Sequence, residues 1–518
     1  MSQEWRPHVN PWWIAFAVML ATFMEVLDTS IASVALPYIG GNLGATPSEA
    51  TWVLTSYLVS NAVVLPASGW LSRHFGRKRL LLTCVMIFSA ASLLCGAATS
   101  LPMLIIARVI QGAGGGALQP LAQSIMLESF PPARRGTAMA VYGVGVVCAP
   151  ILGPTLGGWL TDTWSWRWAF YINVPVSILA VYMIARFVQD PPWIRAGKPG
   201  RIDAVGLGFM ALGLGTLQIL LDKGQEADWF GAIWMRWLAG ISAGSLLFFI
   251  YWELRVTDPI VNLRILKNRN FSVACALFFL FGAAIYGLVA LQPLFLQTLL
   301  GYSALESGLT VTPRGVGAFF ALFVVGALIA RLGGRRLAAF GFVVFSLGAY
   351  LFSRMSLQMA RSTILPPNLV SGFGAGFIFV PLTTVGLATL RNDQIGNAAG
   401  IQNLVRNLGG SVGISFVATM LERFAQAHQV FMTARVSALN PVYLQQLGRV
   451  QGVLQTHFSP ADARPRAGAV MYNIVHQQTG YWAFIDLFYT FMWVGLVCAL
   501  GVWFLKNVKA TGAGRAAH

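Results

Sequence analysis

Charged residues are scarce in this sequence, and acidic residues are the scarcest. Only 10% of its 518 residues are charged, with 18 Asp and Glu against 35 Lys and Arg, whereas 56% are hydrophobic. Ordinary soluble domains carry about 25% charged residues. The composition therefore excludes a chain of water-soluble domains and predicts a protein that lies in lipid.

Several kinds of chemical site are also missing. The five cysteines lie in apolar runs without C-x-x-C spacing, which argues against a disulfide framework or a cysteine zinc site. The six histidines lie outside the long apolar runs, so no intramembrane pair is available for haem. No G-x-x-x-x-G-K-[ST] motif is present for nucleotide hydrolysis. We expect no catalytic residue, metal or cofactor, and an ion gradient or a partner as the energy source.

Long apolar runs are what the sequence has in abundance. A helix needs about 20 apolar residues to cross a roughly 30 Å hydrocarbon layer, and such runs recur from Trp12 to Phe504. We predict an all-α polytopic membrane protein with fourteen spans. The spans are predicted near 12–36, 50–70, 80–98, 103–126, 138–160, 168–188, 204–221, 233–252, 271–295, 307–330, 337–353, 364–389, 397–420 and 482–505.

These spans form groups of six, two and six. We predict an N-terminal six-helix bundle (1–190), two additional helices with flanking loops (191–265) and a C-terminal six-helix bundle (266–518). The third unit contains a long loop, 421–481, for which we consider either two amphipathic helices outside the membrane or an unstructured connector.

The basic residues indicate the orientation. Most Lys and Arg in the predicted loops fall on one face, for example in 73–79, 134–135 and 331–336, and basic loops stay in the cytoplasm. We predict a membrane protein with both termini cytoplasmic and loop 421–481 external. The net charge of +17 therefore reflects topology, and we expect no nucleic-acid partner.

Ionisable residues inside spans are few, and each is a candidate functional residue, because a charge at the bilayer centre costs about 2.5–3.5 kcal/mol even on permissive scales. Glu25 and Asp28 lie three residues apart on one small-residue face of the first span. Two carboxylates this close cannot both ionise cheaply, so we predict that at least one exchanges a proton near neutral pH. The alternative is a structural role as a cap or pair.

Arg108 is the predicted partner of these acids. It shares a helix face with Gln111 and Gln119, which we assign to a substrate cavity. The alternative for Arg108 is a permanent salt bridge that only holds helices together. In the second group of spans, we expect Arg406 and Asp486 to line the cavity or to join a separate polar network with Arg314.

The span at 138–160 combines small residues at intervals of four with interleaved prolines. This pattern predicts either a hinge or sliding surface, or simply tight helix packing. The residues concerned are Gly145, Pro150, Gly153, Pro154 and Gly157.

Several motifs resemble those of a known family. Residues 69–79 (GWLSRHFGRKR) resemble the loop signature of the major facilitator superfamily, with a weaker copy at 326–336. Segments 27–37 (LDTSIASVALP), 108–112 (RVIQG) and 149–158 (APILGPTLGG) resemble motifs of its fourteen-helix drug:proton antiporters. Agreement extends to 166–175, 201–206 and 381–384.

The resemblance implies two bundles around a central cavity, alternating access, and exchange of protons for lipophilic drugs or similar toxic compounds. It implies a location in the bacterial inner membrane, with loop 421–481 periplasmic, and a periplasmic membrane-fusion adaptor and an outer-membrane channel as partners. It also implies that Asp28, Arg108 and Gln111 belong to the coupling motifs, and that conformational motifs include Gly153 with Pro154. The loop signature adds Gly69, Gly76 and Arg77. One departure is that Ser72 and Arg73 stand where the superfamily loop usually has an acid, so the cytoplasmic latch attributed to that acid is in doubt.

Other functions stay open on the sequence. An exporter of one metabolite, such as a fatty acid or siderophore, shares all these motifs. A polytopic membrane enzyme needs a catalytic cluster near a membrane face, but the acids and histidines of 421–481 have no recognisable spacing. A receptor without net transport is a third alternative.

Overall fold

The computed structural model describes residues 7–131, 134–191, 203–391, 394–434, 436 and 440–506, and every regular element in these ranges is helical. In chain order the α-helices are α1 (Pro11–Leu43), α2 (Pro47–Ala50), α3 (Trp52–Phe75), α4 (Arg77–Gly96), α5 (Leu101–Gly115), α6 (Leu118–Ser129), α7 (Arg135–Thr163), α8 (Trp168–Tyr171), α9 (Asn173–Phe187), α10 (Ala204–Lys223), α11 (Ile233–Arg255), α12 (Arg269–Thr298), α13 (Ala304–Val311), α14 (Pro313–Leu332), α15 (Gly334–Ser353), α16 (Arg361–Leu387), α17 (Ile395–Thr433), α18 (Pro441–Leu454) and α19 (Pro460–Gly501). The all-α membrane fold is confirmed.

Twelve helical segments in the described ranges are long and apolar enough to cross a membrane. The two other predicted spans coincide with α3 and α7, helices of 24 and 29 residues that fall outside this set of twelve. Both pack between other helices, α3 against α5 and α17, and α7 against α1 and α14. Helices that face protein need less apolar surface than helices that face lipid. The count of fourteen spans stays a prediction.

Prolines explain two interruptions within predicted spans. The fourth predicted span is divided into α5 and α6 around Gly116, and Pro120 has no N–H to donate to the Gly116 carbonyl four residues earlier. The tenth is divided at Thr312, because Pro313 occupies the first position of α14, where a missing N–H does no harm. Each break lets one span change direction inside the membrane.

The structure corrects the prediction for residues 421–481. Instead of a loop with two separate amphipathic helices, α17 continues unbroken to Thr433 and α19 begins at Pro460, so both spans extend well past their predicted ends. Between them, α18 packs on α19 and has no buried residue. Hydropathy marks where a helix leaves the apolar layer but not where the helix itself ends.

The N-terminal helices α1–α9 and the C-terminal helices α12–α19 meet along two seams. α3 packs against α17, and α7 packs against α14. At the end where α3 finishes and α17 begins, contact is closest, because a Cβ built on Gly69 would lie 2.6 Å from the Cα of Asn397. Nearby, Asn403 donates to Gln123 at 2.8 Å, and both residues are buried. This end of the interface is closed.

The close approach at Gly69 generates a prediction. Gly69→Ala adds a methyl group where backbone already stands, and overpacking of this kind costs about 1–3 kcal/mol. We expect the α3–α17 contact to open more often, so that a maleimide labels a Ser68→Cys reporter at least about fivefold faster. Ser68 is 1% exposed in the closed arrangement.

The matched control is Gly208→Ala in the same reporter background, because a Cβ at Gly208 meets nothing within 4 Å. Labelling that is unchanged by Gly69→Ala would contradict the importance of this contact.

Candidate functional site

A buried ion pair lies inside the N-terminal bundle. Nη1 of Arg108, on α5, donates to Oδ2 of Asp28, on α1, at 2.6 Å, and both side chains are 0% exposed. The face of α1 that carries Asp28 is lined by small residues such as Ala32, which lets neighbouring helices approach. The structure thus brings together the acid and the base that the sequence singled out.

Amide side chains complete the surroundings of Asp28. Its Oδ1 accepts from Gln111 at 2.9 Å and from Asn173, on α9, at 2.7 Å. Both amides also donate to the Ser92 hydroxyl on α4, at 3.1 and 2.9 Å. The Asp28 carboxylate therefore joins the three helices α1, α5 and α9, and the two amides add α4 through Ser92. Gln111 contacts Asp28 rather than a cavity.

Arg108 is held from several directions. Its Nη1 also donates to Gln111 at 2.7 Å, and its Nε donates to the backbone oxygen of Val53 at 3.0 Å. The guanidinium lies 4.3 Å from the ring centre of Tyr57, within cation–π range. These contacts fix the orientation of the charge as well as compensating it.

Glu25 has different surroundings from Asp28, although it lies one turn away. It is 5% exposed, accepts one hydrogen bond from Asn61 at 3.2 Å, and its Oε2 has no hydrogen-bond partner in the described part of the chain. No Lys or Arg among the described residues forms an ion pair with it. Glu25 faces a cavity of about 330 Å³.

The cavity lies between the two halves and has walls of different chemistry. The α1 and α3 wall is polar, with Glu25, Thr29 and Asn61, whereas the α12 and α17 wall is largely apolar, with Val289 and Leu408. The cavity becomes exposed away from the closed end at Gly69. Its exposed apolar lining residues are Leu58 (38%), Tyr286 (39%), Val289 (39%) and Ile414 (45%). Such a cavity suits a molecule with a large apolar part.

Gln119 and Arg406 link the two halves at the inner end of this cavity. Gln119 lines the cavity, and its Oε1 accepts from Nη2 of Arg406 at 2.6 Å. Arg406 is 5% exposed and lies 5.5 Å from the Phe379 ring centre. Arg314 is separate from this contact and donates to Gln292.

Asp486 is not part of the cavity. It lies 2.7 Å from Nε2 of His428, where the extended helices α17 and α19 run side by side, and its side chain is 40% exposed. The structure therefore places it in a partly exposed contact in the C-terminal half, apart from Arg314 and Arg406.

The loop between α3 and α4 is fixed from within its own half. Gly76 adopts a φ of +84°, which glycine accepts readily, and Arg77 forms a buried ion pair with Glu128 at the end of α6. Asp190 accepts from the backbone N–H of Lys78 at 2.9 Å. Ser72 is one of the two residues that stand where the superfamily loop usually has an acid, and its hydroxyl donates to the Gly69 carbonyl at 2.9 Å.

Three glycines of α7 face α1. A Cβ on Gly145 would meet Met19 at 2.5 Å, one on Gly153 would collide with Ser30, and one on Gly157 would lie 3.3 Å from Ile31. Pro150 lines the cavity, and its carbonyl accepts from Ser30 at 3.3 Å. The side chain of Pro154 lies outside the described residues. These positions form a close interface, and a hinge at this place stays a prediction.

Sequence reasoning found Gln111 and Gln119 but missed three other amides at the site. Asn61 and Asn173 contact Glu25 and Asp28 directly, and Gln218 on α10 lines the cavity. Asn173 lies inside the motif 166–175, but the sequence does not show which side chain an uncharged amide will contact. Among the residues that the structure describes, no group of three or more His, Cys, Asp or Glu side chains is placed to hold a metal ion.

Comparisons with known proteins agree with this architecture. The Major Facilitator Superfamily model matches residues 18–414. The chain is 36% identical over 510 residues to the multidrug export protein EmrB of Escherichia coli (strain K12), covering 98% of this chain and 97% of that protein. It is 39% identical over 417 residues to the fatty acid resistance protein FarB of Neisseria gonorrhoeae, covering 80% and 82%.

The fold is similar to that of the proton:xylose symporter XylE bound to 6-bromo-6-deoxy-D-glucose, with a TM-score of 0.62 at 16% identity over 96% of this chain and 97% of XylE. This likeness supports the fold alone. The family resemblance found in the sequence is confirmed, with EmrB-type exporters among the relatives. The chain belongs to the major facilitator superfamily of membrane transporters.

Proposed function

We propose that this protein is a proton-driven antiporter that exports hydrophobic drugs or other toxic compounds across the bacterial inner membrane. The observation that carries the proposal is the placement of Glu25, a carboxylate without an ion-pair partner in the described chain, in the wall of a cavity between the two halves. The similarity to EmrB, named as a multidrug export protein, supports the substrate class.

The geometry supports different roles for the two acids of α1, with proton exchange at Glu25 and a positioning role for Asp28. No cation among the described residues forms an ion pair with Glu25, although the charge of Arg406 acts on it from a distance. Ionising a buried carboxylate in such surroundings is costly, so Glu25 releases its proton when water or a bound substrate compensates its charge. Proton and substrate then compete for one cavity, as antiport requires. One proton crossing 100 mV contributes about 2.3 kcal/mol to the export step.

The Asp28–Arg108 pair supports a positioning role in this mechanism. It joins α1, which carries Glu25, to α5, and its amide partners extend the connection to α4 and α9. A change in the charge at Glu25 therefore acts on a helix that is tied to three others. We infer that alternating access moves these helices as one body.

The proposed organisation follows the predicted units, with bundles at 1–190 and 266–518 and an inserted pair at 191–265. With both termini cytoplasmic, the closed end at Gly69 faces the cytoplasm and the cavity opens outward. The helical extension that contains α18 then lies in the periplasm. There it is available to a membrane-fusion adaptor, which in turn engages an outer-membrane channel.

A narrower function is a second candidate, because FarB is named for fatty acid resistance. The cavity contains Glu25, whose ionised carboxylate repels the carboxylate of a fatty acid bound beside it. A long-chain fatty acid therefore belongs in the transport panel beside lipophilic drugs. Proton movement with the fatty acid but not with the drugs, beyond that seen in vesicles without the protein, would favour the narrow exporter.

Glu25→Gln tests proton exchange directly. The amide keeps the size of the side chain and removes its proton exchange, so we expect drug-induced collapse of the pH gradient in inverted vesicles to be lost. Asp486→Asn is the matched control, since Asp486 lies outside the cavity. Wild-type proton movement in the Glu25→Gln protein would refute this role.

Asp28→Asn tests the buried pair. We expect the protein to insert and fold, but to lose proton-coupled efflux and unfold at a lower temperature, because removing one partner of a buried pair costs about 3–5 kcal/mol. Thermal unfolding of purified protein and efflux in cells measure the two effects. Normal efflux with Asp28→Asn would argue against a coupling role.

The adaptor contact is tested on the surface of α18. Val442 and Val453 are 64% and 68% exposed, so replacing both by Ser leaves the membrane helices unchanged. We expect normal insertion and weaker co-purification of a co-expressed adaptor, and still weaker recovery when α18 is deleted. Unchanged recovery with the α18 deletion would exclude this surface as the docking site.

A further inference from the structure

The inserted helix α10 lies against the seam between the two halves. It packs against α3 of the N-terminal half and against α17 of the C-terminal half. On the α3 side, Asp222 accepts from Thr55, and Lys223 donates to Thr51. On the α17 side, Ser411 donates to Gln218 at 3.0 Å.

The connection continues just beyond the end of α10. Gln225 donates to Glu422 at 2.6 Å, and the indole of Trp229 donates to Thr419 at 3.0 Å. Both acceptors lie on α17. The inserted pair is therefore fastened to both halves at the exposed end of the cavity, opposite the closed end at Gly69.

Gln218 brings this inserted helix into the cavity itself. It is 4% exposed and lines the 330 Å³ cavity that contains Glu25. It also lines a neighbouring cavity of about 80 Å³, and the two cavities share Leu58, Ser411 and Ile414. Gln218 and Ser411 thus stand together between the two spaces.

The chemistry of Gln218 defines what it recognises. Its carbonyl oxygen accepts from the Ser411 hydroxyl, and its amide N–H groups are the donors that it offers to a bound molecule. The neighbouring residues Leu58 and Ile414 are apolar. In such surroundings, a bound molecule that offers no acceptor to Gln218 leaves its N–H groups unpaired, which costs binding free energy.

We propose that Gln218 is a specificity-determining residue of the transport cavity, which donates a hydrogen bond to an acceptor oxygen, such as a carbonyl, on an otherwise apolar substrate. The inserted pair is then part of the substrate site. This inference rests on the proposed export function for its physiological meaning, but ligand binding tests it without a proton gradient.

The experiment compares two probes of nearly equal size, acetonaphthone and its carbonyl-free analogue ethylnaphthalene. Their apparent affinities are measured by thermal stabilisation of the purified full-length protein. The variants are Gln218→Met, which keeps the approximate length of the side chain but removes the amide donor, and Gln218→Ala. The control is Thr216→Ala, because the Thr216 hydroxyl bonds only to carbonyls of its own helix.

We expect wild type and Thr216→Ala to prefer acetonaphthone, and both Gln218 variants to bind it about three- to tenfold more weakly, the equivalent of one hydrogen bond. Ethylnaphthalene should bind with the same affinity to every variant whose size-exclusion elution profile matches that of the wild-type protein. Wild-type protein that binds both probes equally, or neither, overturns the proposal, as do Gln218 variants that keep the preference. A protein that shows the preference but moves no protons would instead refute the proposed antiport.

Discussion

The N-terminal half is organised around one requirement, that the charge of Arg108 must be compensated away from water. Asp28 supplies the opposite charge, and Gln111 and Asn173 satisfy the remaining oxygen of that carboxylate. Replacing such a pair by apolar residues often stabilises a protein, so stability alone does not account for it. Its value lies in fixing the register of α1, α4, α5 and α9, and thereby the position of Glu25 in the cavity.

Small residues allow helices to pack closely both within one half and between the two halves. The glycines of α7 allow it to lie directly on α1, and Gly69 allows α3 to touch the backbone of α17. One interface is within a half, whereas the other joins the two halves. A transporter needs both kinds, because a half must stay rigid while the contact between halves opens and closes.

The sequence predicted the charged part of the site better than the polar part. Glu25, Asp28 and Arg108 stood out because charges inside apolar runs are rare. Asn61, Asn173 and Gln218 did not, because an amide within a span has no strong energetic signature and periodicity does not identify its neighbour. For Asp486 the sequence left a cavity position and a separate polar network open, and the structure places it against His428. The ends of α17 and α19 were missed because polar residues can continue a helix in water.

The length of α17 has a mechanical consequence. Its 39 residues at about 1.5 Å each span roughly 58 Å, almost twice the ~30 Å hydrocarbon layer. With α19 running beside it, the protruding portion is a stiff extension anchored in the C-terminal bundle. Under the proposed alternating access, a small rotation within the membrane would become a larger displacement at the tip, and a protein seated there would be moved at every cycle.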